Sequence, residues 1–341
     1  MDRRFFLSNK DKVFLTYKQQ IQLMRRKRVL ISDEKYAREV LSSISYYNII
    51  NGYKDIFETY RDEDDDNIEK FIKKVTLENL HKVHLIDTAL NNLLFKYIIY
   101  IENTLKTKIA YNIAKDFGLK QSEYLNFTKY TDSDPLDRKQ VISKVISELD
   151  GNKNNYPIQH YKSKPFIPPW IAVKGIYFGT TVNWYKVLIP KIKERIAEEF
   201  CELSLLKNIE DKKEFLIVVL NLLHEYRNNI AHGSRTFLSN VSAELNKDLL
   251  LKSVSADVLT EDEFTQGIGK SDLFAVIVSI AILINDKAMF EQYLRDLFII
   301  SLDYKDSSIA LSPKGNIYKT LNVPENFIDR ITTIYNMKFA S

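Results

Sequence analysis

An all-α fold is predicted by three features of this 341-residue chain. The first is a shortage of turn formers, with nine Gly and eight Pro. Sheet proteins spend both on tight reversals, so the shortage favours long helices and few connections. The second is that neither residue occurs between Tyr53 and Phe117. The third lies within that stretch: Val83, Ile86, Leu90, Leu94, Tyr97, Ile101, Leu105, Ile109 and Ile113 recur every three or four residues, the period of one helix face. At 45% hydrophobic and 28% charged, the chain carries enough apolar side chain for a large core, which excludes disorder as its dominant state.

Taken in order, Thr16 to Arg28 and Asp33 to Tyr47 are two short helices separated by Val29-Leu30-Ile31, with Ser32 and Asp33 as the second start signal. The five acids from Asp62 to Asp66 form a surface linker. One long helix, or two nearly collinear ones, then runs from an N-cap at Thr76 to Phe117, where Gly118 is placed as a C-cap. Ser133-Asp134-Pro135 and Asp150 to Pro157 are loop chemistry around an amphipathic segment. The prolines at 165, 168 and 169 hold the chain extended as far as Trp170, and a helix from Trp170 through Tyr185 ends at Pro190. Ile192, Ile196, Phe200 and Leu203 share one face of a charged segment, and Thr260-Glu261-Asp262-Glu263 starts a later helix. Phe274 to Ile284 is apolar but has eleven residues, short of the roughly 20 a bilayer span needs. It reads as a helix buried in protein, and no membrane partner is expected. A polar tail with Pro313, Gly315 and Pro324 closes the chain.

Charge and cysteine usage bound the setting. Lys and Arg number 49 against 45 Asp and Glu, a net +4, too close to neutral to announce a polyanionic partner by itself. The distribution is uneven, with a basic block at Arg25-Arg26-Lys27-Arg28. Cys201 is the single cysteine, and Met-Asp-Arg-Arg at the start does not lead into an apolar run, so a reducing cytoplasm is the expected location.

The stretch richest in chemistry is Phe215 to Arg235. Phe215, Val219, Leu222, Tyr226 and Ile230 fall at helical spacing and define a core face, and Gly233 ends the helix. At about 100° per residue, His224, Asn228 and His232 form an outward column, with Arg227 one position to the side. A solvated helix end would carry the same residue types. A metal site is the weaker reading, because His224 and His232 lie about 12 Å apart along the axis. No cysteine stands nearby to complete a zinc cluster.

Arg227-Asn228-Asn229-Ile230-Ala231-His232 also matches the R-x4-H motif of the HEPN ribonuclease superfamily. The chain resembles the abortive-infection Abi-like family, of the AbiD and AbiF type, in four ordered blocks: Leu15 to Tyr53, Leu85 to Gly118, Pro168 to Leu188 and Leu220 to Arg235. Where that family commonly shows Cys-Ala before the histidine, this chain has Ile230-Ala231. The resemblance implies an all-helical fold, expected as an N-terminal helical segment over 1–60 and a HEPN-type helical bundle over residues 61–250; residues 251–341, which the four blocks do not reach, are expected to form a C-terminal helical extension. The resemblance also implies bacterial defence against phage and metal-independent RNA cleavage with no cofactor. Arg227, His232 and Asn228 would then be the catalytic group, and Arg235, Arg25, Arg26 and Arg28 the contacts to RNA phosphates. One motif supplies one histidine, so the complete site is expected from a homodimer. The alternative is a regulator that holds a structured non-coding RNA without cutting it.

Other residues are given blander readings. Glu102, Lys106 and Lys108 are expected on a solvated face of the long helix, and His81 and His84 at the surface. Trp170, Trp184, Tyr177 and Tyr185 are expected in the core, with base stacking as the rarer use.

Overall fold

The computed structural model describes residues 14–54, 56–65, 68–233, 235, 241–304 and 317–340. The element order is α1 (Tyr17–Arg26), β1 (Val29–Leu30), α2 (Glu34–Ser43), β2 (Thr59–Asp62), β3 (Ile68–Phe71), β4 (Val75–Thr76), α3 (Leu77–Phe117), α4 (Gln121–Tyr124), α5 (Arg138–Gly151), α6 (Tyr156–Lys162), α7 (Pro169–Ala172) and α8 (Phe178–Lys186). It continues through α9 (Pro190–Cys201), α10 (Ile209–Ala231), α11 (Lys247–Ser253), α12 (Glu261–Thr265), α13 (Leu273–Leu283), α14 (Lys287–Tyr304), α15 (Ile317–Leu321) and α16 (Phe327–Phe339). The fold is all-α, as its composition requires. Pro313 and Gly315 of the expected polar tail lie outside the described residues.

The chain divides into two compact units, one holding residues 1–92, 235–237 and 298–325, the other 93–234, 238–297 and 326–341. The first contains all four strands among the described residues. Val29–Leu30 pairs in parallel with Val75–Thr76, and Thr59–Asp62 pairs antiparallel with Ile68–Phe71. The acidic run is therefore partly strand: Asp62 ends β2, and Asp62 and Asp65 both accept from Lys70 Nζ, at 2.8 and 2.7 Å. Strands this short carry no periodicity that a sequence can display, and a cation on the paired strand, Lys70, is what holds the acids in a turn. His81 and His84 are tied to tyrosines and are not solvated, with Tyr36 Oη 2.6 Å from His81 Nδ1 and Tyr53 Oη 2.9 Å from His84 Nδ1. Burial keeps both imidazoles below their usual range.

The long helix forms as its stripe predicts. All nine stripe residues of α3 are buried, Thr76 Oγ1 accepts from Asn79 N at 3.1 Å, and Gly118 takes the left-handed φ of +110° that stops the helix. In the second unit α10 packs on α8, α9 and α13, and every residue of α13 is buried. No described helix is long and apolar enough to cross a membrane. Where one helix was expected from Trp170 to Tyr185, the chain forms α7, a 3₁₀ turn at Val173–Gly175, and then α8. Pro190 occupies the first turn of α9. Cys201 closes α9 fully buried, and burial pushes its thiol up to about 12.

Thr260 opens α12 with a capping box to Glu263, whose carboxylate also meets the Arg330 fork, Nη2 to Oε1 at 2.7 Å and Nη1 to Oε2 at 2.9 Å. The Arg330 fork outweighs partial burial and holds Glu263 at about 2, below its ordinary 4.5. A carboxylate depressed on folding contributes stability that is complete above its unfolded pKa and is lost as pH falls through the folded value. We expect the wild type to lose on the order of 2–3 kcal/mol from this pair between about pH 4.5 and pH 2. In urea melts Glu263→Gln should show a lower midpoint near neutrality and a flatter acid limb. Parallel limbs would assign the acid sensitivity to other carboxylates.

Candidate functional site

Helix α10 carries the candidate site at its C-terminal end. It starts at Asn208, whose Oδ1 accepts from Glu210 N at 2.8 Å, and Glu210 and Asp211 in the first turn suit the helix dipole. It stops where His232 serves as C-cap, its N–H donating to Asn228 O at 3.0 Å. Gly233 follows at φ +73°, a conformation that a side chain would strain. Arg227 to His232 therefore covers the end of the helix and its cap. The His232 ring is exposed and hydrogen-bonds nothing among the described residues.

The other members of the expected outward column are not outward. His224 is half-buried because α8 crosses there: the Phe178 ring lies 5.7 Å from it, and Gly179 approaches so closely that a Cβ would sit 2.6 Å from His224 Nε2. The α8 N-terminus has no capping side chain of its own at Tyr177. Glu148 of α5 supplies one, accepting from Tyr177 N at 2.9 Å and Thr180 Oγ1 at 2.6 Å. Burial, reinforced by Arg227, holds the His224 pKa below its usual range. The neutral ring matches its contact, since Asn228 Nδ2 lies 2.9 Å from His224 Nε2 and donates there to an unprotonated nitrogen. His224 is thus a support for Asn228.

Asn228 faces two ways, and its Oδ1 accepts from Arg227 Nη1 at 3.4 Å. Behind Arg227 stands Glu102 of α3, with Oε2 3.9 Å from Arg227 Nε and Oε1 accepting from Lys106 Nζ at 2.6 Å. The side chains of Glu102 and Lys106 are only 7% and 12% exposed, so the solvated face expected for them is corrected to a buried charge pair. Buried ions of this kind need partners, and the row Lys106, Glu102, Arg227, Asn228, His224 supplies them. At 3.9 Å Glu102 Oε2 and Arg227 Nε attract without a hydrogen bond, and both atoms are buried and otherwise unpaired. Arg227 Nη2 has no hydrogen-bond partner among the described residues, so one arm of the fork stays unused. Lys108, the third charge noted on α3, turns elsewhere and pairs with Glu199.

The basic residues expected on phosphate lie in the first unit. Arg25 pairs with Glu34 at 2.6 Å, Arg26 pairs with Asp65, and Lys27 Nζ donates to Glu69 O at 3.1 Å. Arg28 takes a left-handed φ of +68°. Arg235 Nη2 donates to Asn48 Oδ1 at 3.2 Å, with its guanidinium 5.5 Å from the Tyr53 ring centroid and 6.0 Å from that of Tyr47. These contacts engage Arg25, Arg26 and Arg235 within the unit. Of the four aromatic residues, Trp184 and Tyr185 are core, whereas Trp170 and Tyr177 are 48% and 68% exposed.

The class so defined is a helical protein with a cationic, amide-braced site at the C-terminal end of one helix. Residues 39–238, well over half of the chain, match the family model described as Abi-like protein, and the chain belongs to that family. Membership points to abortive infection, a defence against phage. Searches among curated proteins and among solved structures gave no match.

Proposed function

We propose that the protein is a metal-independent endoribonuclease of the HEPN type, acting as a homodimer in phage defence. The observation that carries this reading is Arg227, braced from behind by Glu102 and Asn228, with Nη2 unengaged among the described residues, on the same helix end as His232, which is exposed and hydrogen-bonds nothing among the described residues. Such an arginine presents fixed N–H donors to phosphate oxygens and stays charged as the phosphorane gains charge. Histidine is the side chain whose ordinary titration spans neutrality, which suits proton transfer in both directions. In the proposed step one copy of His232 takes the proton from the ribose 2′-hydroxyl as that oxygen attacks phosphorus. The second copy gives a proton to the departing 5′-oxygen. The products are a 2′,3′-cyclic phosphate and a 5′-hydroxyl end, so atoms and charge balance without an added reactant. The direct test is incubation of a single-stranded RNA with purified protein in EDTA, followed by end-group analysis. Ends of other types, or inhibition by the chelator, would overturn the mechanism; binding without any cleavage would favour a regulator.

Because each chain contributes one His232, two chains make one site. We expect light scattering to report about twice 39.9 kDa at micromolar concentration. Titrating His232→Ala chains into wild type should lower activity faster than linearly, because mixed dimers lack one proton carrier. A fully active monomer would refute the shared site.

A further inference from the structure

A pocket of about 850 Å³ opens on the second unit, beside the charge pair of α3, within the range of about 300–1,000 Å³ typical of ligand sites. Its lining has an unusual make-up. Tyr111 of α3, Tyr156 of α6 and Trp170 of α7 contribute to it while remaining 64%, 78% and 48% exposed. Large rings are normally buried on folding, so three left in solvent around one depression form a surface kept for something flat. Lys106 and Lys174 line the same pocket, and it contains no Asp or Glu among the described residues. Lys174 is exposed with no ion pair, and the Trp170 indole N–H has no acceptor, among the described residues.

The walls are fixed in advance. Asn155 Nδ2 donates to Lys174 O at 3.0 Å and Asn152 Nδ2 to Gly175 O at 3.2 Å, so the loop before α6 is stitched to the 3₁₀ turn after α7. Asn155 also caps α6 by accepting from Ile158 N at 3.3 Å, which sets the position of Tyr156. On the opposite wall, Lys106 reaches from the pocket to Glu102, and Glu102 stands against Arg227. The pocket and the candidate site therefore share one ionic link.

We propose that this pocket takes an unstacked base of single-stranded RNA, with Trp170, Tyr156 and Tyr111 as stacking faces and Lys174 on the adjoining phosphate. Aromatic faces accept any base, cations hold the backbone, and the absence of carboxylates removes repulsion. A duplex keeps its bases paired and stacked, so it offers these rings nothing. The inference rests on the ribonuclease reading for why the bound strand should be a substrate.

The test uses full-length His232→Ala, to stop turnover, and a labelled single-stranded RNA ten-mer followed by anisotropy. Trp170→Ala should weaken binding by roughly 5- to 150-fold, the range a lost base–aromatic stack represents. Trp170→Phe should restore most of it, and Lys174→Ala should flatten the logarithmic salt slope by about 0.7. Trp184 is buried, so quenching of tryptophan emission on binding should disappear in Trp170→Phe. Unchanged affinity in Trp170→Ala and Tyr156→Ala, with circular dichroism retained, would overturn the pocket, as would equal affinity for a hairpin duplex. Cleavage by the wild type with an unchanged KM in Trp170→Ala would overturn the pocket and leave the ribonuclease reading standing. Ring-dependent binding by a wild type that cuts nothing would do the reverse.

Discussion

Replacing His232 by alanine should lower RNA cleavage by about 10²- to 10⁴-fold, the usual worth of a positioned acid–base group. The same change should leave the thermal transition within about 0.5 kcal/mol of wild type, because an exposed C-cap side chain with no hydrogen bond among the described residues adds little to the core. Arg227→Ala should cost about 10²- to 10³-fold through loss of phosphorane stabilisation. Arg227→Lys is the sharper variant. It keeps the positive charge but lacks the planar fork, so it should fall near alanine if Nη2 and its neighbour bind phosphate together. Cleavage at the wild-type rate in His232→Ala would remove the proton carrier from the mechanism, whatever the arginine variants did.

The largest stability effect is expected at Glu102. Its removal leaves the part-buried Lys106 ammonium uncompensated and Arg227 without its brace; breaking a fully buried pair from one side costs about 3–5 kcal/mol, an upper bound here because Lys106 also lines an open pocket. Urea unfolding of Glu102→Ala should therefore show a marked drop in midpoint with an unchanged slope. The double variant Glu102→Ala with Lys106→Met should recover part of it, because the Lys106 ammonium is then no longer stranded while Arg227 still lacks its carboxylate. Glu102 acts through Arg227, so its loss should lower kcat in any preparation that remains folded. A single variant as stable as wild type would mean that water already reaches the pair.

The nine-residue stripe placed α3 correctly because its apolar spacing is unbroken and Thr76 and Gly118 bracket it with capping chemistry. The core face of α10 was legible for the same reason, although Ile230 proves only half-buried where the helix ends. The ionic brace was not read, yet a trace of it was present. Leu94, Ile98, Glu102, Lys106 and Ala110 form one i, i+4 row, and a charge pair inside an otherwise apolar row signals burial, as the near-complete burial of Leu94, Ile98 and Ala110 bears out. The setting of His224 could not be read from α10 alone. It depends on α8 crossing at Gly179, and on Glu148 fixing the start of α8, contacts between segments far apart in the chain. The short strands escaped because two to four residues are too few for alternation to register. The basic block looked free because the partners of Arg26 and Lys27, Asp65 and Glu69, come from a hairpin that the sequence did not announce, while Arg25 pairs with Glu34 at the start of α2.

The enclosed thiol of Cys201 has a practical side. A sulfhydryl held inside the core and pushed up to about 12 offers almost no thiolate at neutral pH, so maleimide and methanethiosulfonate reagents should pass it by. Since the sequence contains no other cysteine, the native chain serves as its own labelling background. Ser143 is exposed on α5, and Ser143→Cys would carry a spin label there with Cys201 left in place. Dipolar spectroscopy on such a chain would report the distance between two copies directly, with and without RNA.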